Sequence, residues 1–170
     1  MSNKHRFTKV MDAAITNRIL VLGLGNTLLS DEGAGIHALS ALQLHLADCT
    51  DIDFLDGGTL SFTLAVPIEN TGRLIVIDAA QLHAAPGTVR MFVDDDMDRY
   101  LGSNNKRSVH EVGLIDLMII ARLTDRLPQR RALIGIQPRD IDWGDQPSAP
   151  VAAAIPKVCD LARELIRSWQ

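Results

Sequence analysis

The stretch RILVLGLGNTLLSDEGAGIHALSALQLHL, residues 18–46, decides how the rest of the chain is read. Ile19 to Leu22 form a short, unbroken apolar run, which suits a central parallel strand buried on both faces. Gly23 and Gly25 end that strand. Ile36, Leu39, Leu42 and Leu46 then recur at helical spacing, so the turn carrying Asn26, Asp31 and Glu32 opens onto a helix N-terminus. Gly23 and Gly25 match the start of a dinucleotide fingerprint, but its third glycine would fall at Leu28. Two acids at the helix mouth also oppose an approaching phosphate.

Outward from this unit, the pattern repeats. Asp51–Asp56 reads as a second strand ending in Gly57–Gly58–Thr59, and a short helix over 61–66 is interrupted at Pro67. Arg73–Asp78 is a third, continuously apolar strand that ends on an acid. The turn at 84–87 leads to a fourth strand over 88–93, close enough in sequence to form an antiparallel edge. The polar segment from Asp94 to Arg107, with its acidic cluster over 94–98, is expected to be a mobile, solvated loop. A largely buried helix over 109–123 and a fifth strand over 131–137 follow. Pro147, Pro150 and Pro156 are expected to break up the approach to a last helix, whose apolar face carries Val158, Leu161, Leu165 and Trp169.

Strands alternating with helices imply an α/β fold, a three-layer αβα sandwich with a mostly parallel five-stranded sheet and one antiparallel edge strand. At 170 residues and 46% hydrophobic content, the expectation is a flexible leader over 1–17 and a single domain over 18–170. No apolar run is long enough for a membrane span and the leader lacks a secretory apolar block, so a cytoplasmic location is expected. Cys49 and Cys159 have no metal or redox spacing and read as small core residues. The net charge of −4 argues against nucleic acid as main partner. Arg126, Arg130 and Arg131 read as a local basic patch on a solvated loop.

In an open parallel sheet, the loops after the carboxyl ends of the strands gather on one edge. Here those loops carry Glu32, Asp56 and Asp78. Converging carboxylates raise one another's pKa unless a proton or cation offsets their charge. Oxygen from Glu32 and Asp78 with nitrogen from a histidine would suit zinc, nickel, manganese or iron. His110, where the polar segment meets the buried helix, is the first candidate, and His83 the second. His5, His37 and His45 read as solvated or helix-face residues. Taken singly, each acid also has a plain structural role: Ser30 or Asp31 as a helix cap, Glu32 as a first-turn charge and Asp56 as a turn stabiliser. Asp78 is harder to set aside, because an acid ending a buried strand is costly to desolvate without a partner.

ILVLGLGNTLLSDEGAG at 19–35, DGGT at 56–59, LIVIDA at 74–79 with APGT at 85–88, and SVHEVGL at 108–114 together resemble the hydrogenase maturation proteases. The resemblance spans most of the chain. It implies an aspartyl-type endopeptidase that removes a C-terminal peptide from the large-subunit precursor of a nickel–iron hydrogenase. It also implies that Glu32, Asp78 and His110 form the metal site. They would hold no permanent cofactor and would contact nickel already present in the precursor. Asp56, Gly57, Gly58 and Thr59 would lie beside the substrate tail. No serine or cysteine sits in a recognisable nucleophile motif, so water attack with carboxylate help is the expected chemistry. The segment 94–107 is expected to act as a lid over His110, and the isolated protein to be monomeric. Two alternatives stand beside this reading. One is a nickel-binding maturation chaperone that does not cut. The other is an enzyme like peptidyl-tRNA hydrolase, whose opening turn is similar to GLGN at 23–26.

Overall fold

The computed structural model describes residues 16–103 and 113–170. Five strands form one sheet: β1 (Thr16–Gly23), β2 (Ile52–Asp56), β3 (Thr71–Ala79), β4 (Val89–Val93) and β5 (Arg130–Ile136). Their order is β2-β1-β3-β5-β4, and only β4 runs antiparallel, against β5. The sequence expectation of a mostly parallel sheet with one antiparallel edge therefore holds. Residues 1–15 of the expected leader lie outside the described residues, and β1 begins at Thr16.

Successive side chains of a strand point to opposite faces, and the continuous apolar runs feed two cores. Ile19, Val21, Ile75, Ile77, Ile134 and Ile136 face α1 (Ala34–His45) and α5 (Ala149–Trp169). Leu20, Leu22, Leu74, Val76 and Leu133 face α2 (Ala65–Glu69), α3 (Asp95–Ser103) and α4 (Leu114–Leu123). Helices on both faces of the sheet complete the three layers.

Three elements differ from the sequence reading. The segment expected to be a mobile loop contains α3 over 95–103. Met97 is fully buried, and Tyr100 stacks on Phe92 with ring centroids 4.2 Å apart. Its acids form the first turn of that helix, where negative charge is favourable, and together with Asp94 just ahead of it they engage Arg130 and Arg131 of the patch assigned to a solvated loop. Arg131 is buried and grips Asp98 in two bonds, Nε to Oδ1 at 2.9 Å and Nη2 to Oδ2 at 2.7 Å. Arg130 lies over the Trp169 ring, 5.3 Å from its centroid, and pairs with Asp94.

α4 starts at Leu114, where the Gly113 N–H donates to the Asp116 carboxylate at 2.8 Å. Leu114, Leu117, Met118 and Ala121 are buried, but Ile119 and Leu123 are exposed, so one face rather than most of the helix is covered. α5 runs unbroken from Ala149 to Trp169. Pro150 fits its first turn, and Pro156 sits inside it. The packing of Val151, Ala154, Val158, Ala162 and Leu165 on the sheet outweighs the hydrogen bond that Pro156 forfeits.

Candidate active site

The first strand and the turn after it explain where Glu32 stands. Gly25 has φ 131°, and a Cβ there would lie 1.8 Å from the Glu32 carbonyl oxygen. Gly25 also donates to Gly58 at 2.9 Å, and Gly57 donates to Gly23 at 2.9 Å, so the turns after β1 and β2 are stitched together. At Gly35 a Cβ would meet the carbonyl oxygens of Ile77 at 2.2 Å and Leu24 at 2.4 Å. That missing side chain lets α1 press onto the ends of β1 and β3. The glycines of the motif thus bring a helix mouth against two strand ends.

The result is a cleft of about 630 Å³ lined by Leu24, Gly25, Glu32, Gly58, Thr59 and Asp78, with Ser61 and Phe62 at its wall. A second hollow of about 430 Å³ shares Leu60, Asp78 and Ala79 with it and extends past His83, Tyr100 and Gly113. Asp78 therefore stands at the junction of the two.

The electrostatics of this junction are unusual. Burial pushes the Asp78 carboxyl up to about 7; the Ala79 N–H acts in the opposite direction, and the charge of Glu32 raises it further. Glu32 Oε2 is shut off from solvent and has no hydrogen-bond partner among the described residues. A buried carboxylate oxygen without a donor is costly unless a proton or cation meets it. The chemistry of this donor pair, hard oxygen with open positions, fits a divalent metal ion. Among the described residues no group of three His, Cys, Asp or Glu side chains is placed to hold a metal. The third expected ligand, His110, lies outside the described residues.

Of the expected substrate-side residues, Gly58 and Thr59 line the cleft. Asp56 is engaged locally, its Oδ1 accepting from the Gly58 N–H at 2.8 Å, and Gly57 packs against Leu22, Leu24 and Leu64. These two shape the turn while the next two face the open space. His83 lines the second hollow with φ 51°, and His45 Nδ1 contacts the Ala41 carbonyl oxygen of its own helix at 2.7 Å.

Asp31 is the residue whose role the sequence reading missed. It is no helix cap: fully buried, it accepts from the backbone N–H groups of Arg139 (2.8 Å), Asp140 (2.9 Å) and Ser148 (2.6 Å) and from the Ser148 hydroxyl (2.8 Å). Burial alone would raise its pKa, and these donors outweigh it and hold the carboxyl below its usual range. Asp31 thereby ties the irregular segment after β5 to the turn that carries Glu32. Just after β5, the Gln137 side-chain oxygen accepts from the Leu82 N–H at 2.8 Å and fixes the chain leaving β3.

The chain and its fold have counterparts among known proteins. The sequence model of HycI, hydrogenase maturation protease, matches residues 36–164. The chain belongs to the hydrogenase maturation protease family. It is 38% identical over 153 residues to the hydrogenase expression/formation protein HupD of Rhizobium leguminosarum bv. viciae, covering 89% of this chain and 75% of that protein. It is 35% identical over 126 residues to the hydrogenase 2 maturation protease of Escherichia coli K12, covering 74% of this chain and 76% of that one. Its fold superposes on the hydrogenase maturating endopeptidase HybD from E. coli with a TM-score of 0.79 at 31% identity, over 89% of this chain and 93% of the other. The corresponding values for the [NiFe] hydrogenase maturation protease HybD from Thermococcus kodakarensis are 0.71 and 32%, over 87% and 98%.

A maturation protease of this family is a peptidase, which sets aside both the non-cutting chaperone and the peptidyl-tRNA hydrolase alternatives. Among the described residues, no helix is long and apolar enough to cross a membrane.

Proposed function

We propose that this protease removes the C-terminal peptide of a nickel-loaded hydrogenase large-subunit precursor and reads the bound nickel through Glu32, Asp78 and His110. The observation that carries this reading is the uncompensated pair of carboxylates: Glu32 Oε2 buried without a donor beside an Asp78 whose pKa is pushed up to about 7. An incoming divalent ion offsets both charges and displaces the Asp78 proton, so recognition of the metal is coupled to proton release. His110 supplies the third ligand. The nickel arrives as part of the substrate, and the protease keeps no metal of its own.

The scissile peptide lies across Asp78, with the substrate tail running past Gly58 and Thr59. A carboxylate takes a proton from the attacking water, oxygen adds to the carbonyl carbon, and the C–N bond breaks as the proton passes to the leaving amine. Neither Cys49 nor Cys159 lines the cleft, and Ser61 Oγ shares a hydrogen bond with Thr63 Oγ1 at 2.5 Å.

The test is to incubate the purified protein with nickel-loaded and nickel-free large-subunit precursor and weigh both products by mass spectrometry. Loss of a C-terminal peptide from the loaded form alone is expected. Equal trimming of both forms overturns nickel recognition, and no trimming of either overturns the assignment of substrate. The His110→Ala variant is expected to lose cleavage of the loaded form while unfolding like the wild type.

A further inference from the structure

The segment that Asp31 holds exposes more apolar surface than a loop needs. Trp143 is 83% exposed and Ile141 57%, and across from them Leu28 is also 57% exposed. These belong to one built surface. A parallel bridge joins Leu29 to Gly144, which places Leu28 beside Trp143 in register. Gly144 N donates to the Leu28 carbonyl at 3.0 Å, Ser30 N to the Gly144 carbonyl at 2.7 Å, and Ser30 Oγ to the Asp142 carbonyl at 2.9 Å. The buried Asp31 carboxylate fixes both ends of the segment, at Arg139–Asp140 and at Ser148.

Large apolar side chains held out in water on a fixed backbone are characteristic of a contact surface. Preorganisation lowers the ordering cost of binding, and a central tryptophan is a frequent energetic anchor. We infer that Leu28, Ile141 and Trp143 form the docking face for the folded body of the hydrogenase precursor, which must present an apolar patch flanked by lysine or arginine. The inference rests on the proposed function above. Two observations select this occupant. The same turn carries Leu28 and the cleft-lining Gly25 and Glu32, so a body seated here delivers its tail into the cleft. Asp142 and Asp145 lie on the same segment, while Asp140 is paired with Arg139 at 2.7 Å, so the segment carries a net negative charge that favours a basic partner. A second copy docking by two-fold symmetry would set these acids against themselves.

The test compares wild type with Ile141→Ala/Trp143→Ala and with Asp142→Asn/Asp145→Asn. Binding of the nickel-loaded precursor is measured by biolayer interferometry, independently of cleavage, with thermal unfolding as the check on folding. The apolar variant is expected to weaken binding at least tenfold and to raise KM rather than lower kcat. The acid variant is expected to slow association and to flatten its salt dependence. Unchanged binding by a folded apolar variant overturns the docking face. A wild type that sediments as a dimer, and a variant that sediments as a monomer with unaltered KM, overturns it in favour of self-association. Failure of the wild type to cleave overturns the proposed function instead, and the binding measurement still decides the docking face.

Discussion

Gly25 and Glu32 touch through their backbones: the Glu32 carbonyl oxygen occupies the space where any larger residue at position 25 would place its Cβ, 1.8 Å away. The position of the site carboxylate is therefore set by the absence of a side chain seven residues earlier. Gly25→Ala must move the Glu32 backbone and also adopt a φ of 131°, which L residues rarely accept. The expected cost is about 3 kcal/mol in urea unfolding, together with loss of precursor cleavage. A variant of native stability and full activity would show that the turn tolerates displacement.

Asp78 makes the free enzyme less stable as pH rises. Its pKa goes from 3.8 unfolded to about 7 folded, so between these values the native state binds more protons and stability falls. Above pH 7 the whole penalty applies, on the order of 4 kcal/mol. Asp78→Asn is therefore expected to abolish cleavage yet to unfold at higher urea than wild type at pH 8, with the gap closing toward pH 4. An equal gap at both pH values would mean that the carboxyl is not desolvated.

The Asp98–Arg131 pair has the opposite sign. The Arg131 hydrogen bond, against an opposing burial effect and with help from the charges of Arg131 and Arg122, lowers the Asp98 pKa below 3.8. Its contribution is complete above 3.8 and disappears as pH falls through the lower folded value. Asp98→Ala leaves the Arg131 guanidinium buried without its main partner and is expected to cost about 3 kcal/mol at pH 7. Urea unfolding at pH 7 and at pH 3 checks this, and the cost should shrink at the lower pH.

The sheet was legible because residues 19–22 and 74–77 are apolar without alternation, which only a doubly covered strand tolerates. That Glu32 and Asp78 line one cleft was legible for the same reason, because both stand at the common carboxyl edge of those strands. α3 was not, because a run of aspartates reads as solvated until Met97, Tyr100 and Leu101 are seen at helical spacing, with Arg131 waiting across the layer. Asp31 was hidden for a different reason. Its partners are more than a hundred residues away and most are backbone N–H groups, which no residue type in the sequence announces.

The two edges of the sheet carry one more consequence. β2 and β4 are each five residues long, and they bear Asp53 and Asp56 on one side and Arg90 on the other. Short, charged edges resist the addition of a foreign strand. A protease handles extended peptide segments, and edges of this kind keep such a segment from being added to the sheet as a sixth strand.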